Sequence, residues 1–244
     1  LVIAGSAAVS TSNNAFAGAG AVALNYITAT TEASISNPGG RKNVTAAGSV
    51  TITATDSSGI NADAGAGALA VSTDSDAAAA VAAGAAVAEN RITRTTTAKL
   101  ENVLVSSNGI TGKIAGDVDV EAEASGDIRA FTLGISGAVS MGATVTAALA
   151  GSGSGNYITS DTMASIDPSL VYATGDVTVT ATDSADIDAI AGAASFGLSV
   201  GGSGGGSSVG VDLGIALAIN EVTNSAVALV DDTTIDASGD VAVT

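Results

Sequence analysis

With 24 acidic and 7 basic side chains among 244 residues, the chain carries a formal charge of −17, which argues against nucleic acid and anionic membrane as partners, since both call for basic patches. The absence of Cys and His excludes disulfides, thiol chemistry and His-ligated zinc. Hydrophobic residues make up 46%, but with three Phe, three Tyr and no Trp the interior has to be filled by Ala, Val and Ile, so it must be thin.

Read from its start, the chain opens on Leu1-Val2-Ile3-Ala4-Gly5, with neither an initiator Met nor a basic leader. It stops after Val241-Ala242-Val243-Thr244, inside a strand-like alternation. Residues 1–244 are therefore expected to be one continuous segment of a longer repetitive chain. An Ala/Gly-rich run leads into Asn25-Tyr26-Ile27-Thr28. The same motif returns at Asn90, Asn156 and Asn220, with spacings of 65, 66 and 64. A second motif keeps the rhythm: Gly48-Ser49-Val50-Thr51, Gly116-Asp117-Val118-Asp119, Gly175-Asp176-Val177-Thr178 and Gly239-Asp240-Val241-Ala242. A fixed period marks stacked units, here approximately 1–49, 50–117, 118–176 and 177–240.

Stretches 50–55, 118–123 and 177–182 alternate apolar and polar residues with period 2, which predicts strands with Val, Ile or Ala inward and Thr, Asp or Glu outward. Stretch 76–89 has the propensity of an alanine helix, but its counterparts before Asn25 and Asn220 read as buried strands, and a strand is expected here too. Stretches 130–160 and 189–211 lack charge; their Gly, Ser and Thr do not suit a spanning helix, and no membrane insertion is expected. The run 201–206 lacks the Lys-Ser/Thr of a phosphate loop and is expected to be a turn. In the last repeat, short strands are expected at 177–182, 187–192, 196–201, 208–219, 226–230, 234–237 and 240–244. That is about three coils of a β-solenoid per repeat, at roughly 20 residues per coil. A sandwich would need bulkier residues to fill the space between its sheets.

Gly-Asp-Val-Thr-Val-Thr-Ala-Thr at 175–182, Ala-Gly-Ser-Val-Thr-Ile-Thr-Ala-Thr at 47–55 and Val-Ala-Leu-Asn-Tyr-Ile-Thr at 22–28 resemble the repeat regions of very large bacterial exoproteins. The closest in texture are leukotoxin-like filamentous adhesins and the wider filamentous-haemagglutinin group. The resemblance implies an all-β, right-handed parallel β-helix, export to the bacterial cell surface, and a role in attachment or surface filaments.

Asn25, Asn90, Asn156 and Asn220 are expected to be turn residues at the end of a buried strand, about three coils or roughly 14 Å apart, and so unable to form one site. Thr51, Thr53 and Thr55, with Thr178, Thr180 and Thr182, would suggest an ice-binding array, but Asp119, Glu121 and Glu123 interrupt it. That acidic row has a spacing compatible with glycoside hydrolysis, but the same spacing arises in any exposed acidic strand, and a solvated face is expected. Asp183, Asp186, Asp188, Asp231 and Asp232 lie near predicted turns and are candidate calcium ligands, although neither the EF-hand spacing nor the calcium nonapeptide is present. No catalytic residue and no other cofactor is expected. The expected role is a structural segment of an extracellular filament or giant adhesin. Its partners would be adjoining repeats or like subunits end to end, together with host or cell-surface glycans or proteins. The rival readings are a β-helical carbohydrate-active enzyme and a calcium- or glycan-binding module. Six aromatics in all give little to build a sugar platform from.

Overall fold

The computed structural model describes residues 1–11, 14–73, 79–142, 145–200 and 208–244. In chain order the strands are β1 (Val2–Ser10), β2 (Ala15–Ser36), β3 (Lys42–Thr45), β4 (Val50–Asp56), β5 (Gly59–Ser72), β6 (Ala79–Glu101) and β7 (Val103–Ser106). They continue as β8 (Val118–Met141), β9 (Val145–Asp167), β10 (Leu170–Ala173), β11 (Val177–Val200), β12 (Val209–Val230), β13 (Thr234–Ala237) and β14 (Val241–Val243). No helix occurs among the described residues.

The strands form three parallel sheets side by side. Sheet A runs β1-β5-β8-β11-β14, with β4 also on β8; sheet B runs β12-β9-β6-β2; sheet C runs β13-β10-β7-β3. Each repeat thus contributes one strand, or the split pair β4 and β5, to each sheet, and the strands of one repeat make one layer. Three coils per repeat are not what the register gives. Val177–Val200, expected as three short strands, is one strand of 24 residues paired along its whole length with β8. Polar residues inside it, such as Ser184 and Asp186, favour turns by their own preference. In a central strand they are held by a full ladder on the neighbouring layer, and side-chain preference gives way to pairing.

Of the stretch 76–89, residues 79–89 belong to β6, as the strand reading expected, and 76–78 lie outside the described residues. The Gly-rich run 201–206 also lies outside them.

The interior changes along the strands. Where all three sheets meet, Val50, Ile52, Leu100, Val105, Val120, Ile166, Val171 and Val177 fill a three-sided core. Sheet C strands are only four residues long in β3, β7, β10 and β13, so this prism is confined to one end of the long strands. Beyond it sheets A and B face each other alone, first across Ile60, Ile92, Ile128 and Ile158 and then across alanines such as Ala70, Ala80, Ala82, Ala138 and Ala148. In this two-sheet blade the backbones approach closely. A Cβ on Gly84 would run into the Ile135 carbonyl, and one on Gly134 into the Gly151 backbone. Ordinary sandwich sheets stand about 10 Å apart; at these glycines only a hydrogen fits between sheets.

Candidate functional site

Chemistry-bearing side chains inside the molecule are arranged as ladders from layer to layer. Asn25, Asn90, Asn156 and Asn220 lie within β2, β6, β9 and β12, and the register puts them in one column. Asn25 Nδ2 donates to Asn90 Oδ1 at 2.9 Å, Asn90 to Asn156 at 2.8 Å, and Asn156 to Asn220 at 2.8 Å. Asn90 and Asn156 are fully buried. This corrects both the expected turn role and the expected separation, because consecutive copies are one strand spacing apart, about 4.8 Å. A primary amide carries donor and acceptor on one planar group, so identical copies in register satisfy each other inside a sheet.

A second ladder follows the corner where the chain passes from sheet C to sheet A. The Asp117 N–H donates to Ser49 Oγ at 3.0 Å, that of Asp176 to Asp117 Oδ1 at 2.9 Å, and that of Asp240 to Asp176 Oδ1 at 2.8 Å. Beside it, the Gly175 N–H donates to the Gly116 carbonyl at 3.0 Å and that of Gly239 to Gly175 at 3.1 Å. A Cβ on Gly175 or Gly239 would collide with the aspartate and backbone of the layer beneath. The recurring Gly-Asp pair is the chemistry of this corner.

Between the prism and the blade lies a buried ion cluster. Arg94 of β6 points inward and is 1% exposed. Its Nη2 is 3.2 Å from Asp183 Oδ1, and its Nη1 is 3.9 Å from Asp56 Oδ1. Its Nε donates to Ser160 Oγ at 2.7 Å, and Nη2 also donates to the Ser184 carbonyl at 3.2 Å. Thr162 donates to Asp183 Oδ2 at 2.8 Å, and Thr31 to Asp56 Oδ2 at 3.3 Å. Asp56, Ala124 and Asp183 form one column of sheet A, so a single guanidinium reaches carboxylates two layers apart across the intervening alanine. Gly126 makes room, since a Cβ there would meet Arg94 Nη1. Thr96 stands between Thr31 and Thr162 in one column of sheet B, and its buried hydroxyl has no partner among the described residues.

Sequence reasoning missed this cluster, although the signal was present. Asp56 and Asp183 both continue the inward phase of an alternating stretch (Val50, Ile52, Ala54, Asp56; Val177, Val179, Ala181, Asp183), and Arg94 continues the inward phase of Ile92. An opposite pair of charges on inward positions predicts a buried ion pair.

The calcium candidates are not brought together. Asp183 faces inward onto Arg94, Asp186 and Asp188 face outward on sheet A, and Asp231 and Asp232 lie in the turn between β12 and β13. Asp232 adopts φ 43° there, and its N–H donates to Asp231 Oδ1 at 3.0 Å. Among the described residues no three acidic groups converge as a metal site would require. Asp119, Glu121 and Glu123 lie outward on sheet A between Thr51, Thr53 and Thr55 on one side and Thr178, Thr180 and Thr182 on the other. Thr178 donates to Asp119, so the row is a hydroxyl-flanked surface grid. Comparison with known protein families, with characterised proteins and with solved structures found no match.

Proposed function

We propose that the chain is a structural segment of an extracellular bacterial surface filament or giant adhesin, without catalysis. In this reading the parallel sheets wind as a right-handed β-solenoid in which each repeat adds one layer. The carrying observation is that repeats pair with their own copies residue for residue, so that the Asn column and the Gly-Asp corner are each built of like on like. Such ladders grow in one direction and work at any length, which suits an extended body better than a single cleft. Asn25 and Asn220 stand at the two ends of the column, and β2 and β12 are edge strands of sheet B. An open parallel edge with matching side chains pairs with another of its kind. Adjoining repeats or like subunits placed end to end are therefore the partners, with Asn220 donating to the next Asn25. The surface location rests on the resemblance of the repeats to large exoproteins.

Electron microscopy and fibre diffraction of the concentrated chain test this reading. Rods growing along the stacking axis, with an axial reflection near 4.8 Å, are expected. Particles that stay isometric, with no such reflection at any concentration, refute it.

A further inference from the structure

The blade is turned inside out. Its inward positions carry mostly Ala, Gly, Ser and Thr, and its outward positions carry the large apolar side chains. On sheet A the outward rows that start at Ile3, Gly5, Ala7 and Val9 hold only Gly, Ala, Val, Leu, Ile and Phe in all four layers. On sheet B the same holds for the rows that start at Phe16, Gly18, Gly20 and Val22. This uncharged band is seven residues tall on each face, and toward the prism Asp63 closes it on sheet A and Glu89 on sheet B. Exposure at the end layers is expected of any stack, but Leu69, Val87, Ile135 and Leu149 belong to the two middle layers and are still 40–47% exposed.

The two faces have opposite relief. On sheet A, Gly5, Gly65 and Gly67 floor a hollow of about 430 Å³ walled by Ile3, Leu133 and Ile135. On sheet B, Ile215 stands beside Gly151 and is 60% exposed, with Leu213 and Leu217 on either side of it along β12. Where Asn220 meets Asn25 of a following copy, the same register places Gly20 on the other side of Ile215. Ile215 is then a knob between two glycines. A Cβ on Gly134 would meet Gly151 across the blade, and these two are level with the hollow and with Ile215 respectively, so knob and hollow stand at one height.

We infer that joined stacks pair side by side through their blades, with the Ile215 ridge of one stack seated in the Gly65–Gly67 hollow of its neighbour. The inference rests on the end-to-end reading above and adds a second, lateral contact to it. A neighbour in the same orientation needs an offset of two layers, about 10 Å, to bring the fourth layer of one against the second layer of the other. Ridge and hollow each recur once per copy, so every copy repeats the contact. The band has neither charge nor hydrogen-bonding side chain, which selects an equally apolar partner of the same height, and a second blade is one. The acidic prisms are left outside the contact, in water.

Area couples this contact to length. One face of a single copy measures about 23 Å by 19 Å, or roughly 440 Å², about half of the roughly 800 Å² per partner of a standard stable interface. Two copies joined end to end offer roughly 880 Å², which reaches that size. Single copies therefore do not hold one another by their faces, and stacks do.

Rods of the parent chain are expected to lie side by side in electron micrographs. Ile215→Glu should leave rods but keep them single, and Thr93→Glu, outward on sheet B outside the band, should leave them paired. The chain has no Cys, so Gly67→Cys and Ile215→Cys mark hollow and ridge cleanly. These two variants, mixed equally and treated with a short bis-maleimide, should give chiefly the product that joins 67 to 215. Within one stack these positions lie on opposite faces, so only a lateral neighbour supplies it. Each variant must keep the far-ultraviolet circular dichroism of the parent, and the cross-linking stands by itself if Ile215→Glu does not. Parent rods that stay single, equal loss of pairing with Thr93→Glu, or like-with-like products as abundant as the mixed one overturn the inference and leave the stacking reading intact. Single rods that coat neutral phosphatidylcholine vesicles overturn it in favour of lipid. If no rods form at any concentration, the stacking reading fails and the inference falls with it.

Discussion

The prism and the blade are made by the same strands, yet they solve different packing problems. In the prism the inward residues are Val, Ile and Leu, whose volume holds three walls apart, and sheet C closes the third side. In the blade the inward residues shrink mostly to Ala, Gly, Ser and Thr, and two walls collapse until backbone meets backbone at Gly84 and Gly134. Side-chain volume at inward positions thus decides how many sheets surround the interior. The energetics differ in kind. Each buried Val or Ile of the prism contributes about 1.5–3 kcal/mol through area removed from water. The blade, with little side-chain area to bury, depends on its backbone ladders and on contact density.

The largest expected effect lies at the border of the two regions. Arg94→Met leaves Asp56 and Asp183 buried without their cation and is expected to cost about 3–5 kcal/mol. Adding Asp56→Asn and Asp183→Asn to that variant should recover much of the loss, as read by urea denaturation. Failure of the triple variant to improve on the single would mean that Arg94 acts by packing alone. Next comes the prism. Ile166 is fully buried, stacked between Leu100 and Val230, and Ile166→Ala should cost about 2–5 kcal/mol by leaving a cavity. The blade reverses the sign of the rule. There the harmful change is an added methyl: Gly84→Ala should cost about 1–3 kcal/mol by forcing the sheets apart, whereas the same replacement at the outward Gly67, with nothing within 4 Å of its Cβ, should be close to neutral. Thermal melts of these two alanine variants side by side measure how tight the blade is.

Much of the fold was legible because the relevant signals are local or periodic. The alternation of Val177, Val179 and Ala181 with Thr gave the inward and outward faces of a strand, and the fixed repeat gave the stacking. Strand length was not legible, because Asp183, Ser184 and Asp186 are turn formers by their own preference. What keeps them extended is a partner about sixty residues away, as in the pairing of Asp186 with Asp127. The asparagines failed for the same reason. Asn90 taken alone favours a turn, and only its pairing with the previous and next copies makes a mid-strand amide stable. The repeat period already named those partners; the assumption of three coils per repeat placed them too far apart to meet.

The smallest effect concerns a surface ion pair level with the prism. Lys99 Nζ stands 3.1 Å from Glu32 Oε1 on the outer face of sheet B, level with the prism. The hydrogen bond from Lys99, helped by Ser34, holds the Glu32 carboxyl below its ordinary value of 4.5. The bond to Glu32 holds the Lys99 ammonium above its ordinary 10.5. Glu32 is bound less readily by protons when folded, so its contribution is present above 4.5 and fades as pH falls through its folded value. Lys99 binds its proton more readily when folded, so its contribution is complete below 10.5 and fades as pH rises through its folded value. Between those limits the pair is constant. Both side chains are partly solvated, so salt screens the pair and its effect is small. Glu32→Gln should therefore lower Tm slightly at neutral pH and low salt, and parent and variant should converge below about pH 4 or in 1 M salt. Amide exchange resolves the comparison directly: acidification should loosen strand segments around Glu32 and Lys99 in the parent and leave the uncharged blade segments 15–24 and 79–88 of the same strands unchanged. Equal loosening along the whole of β2 and β6 would mean that prism and blade open as one unit.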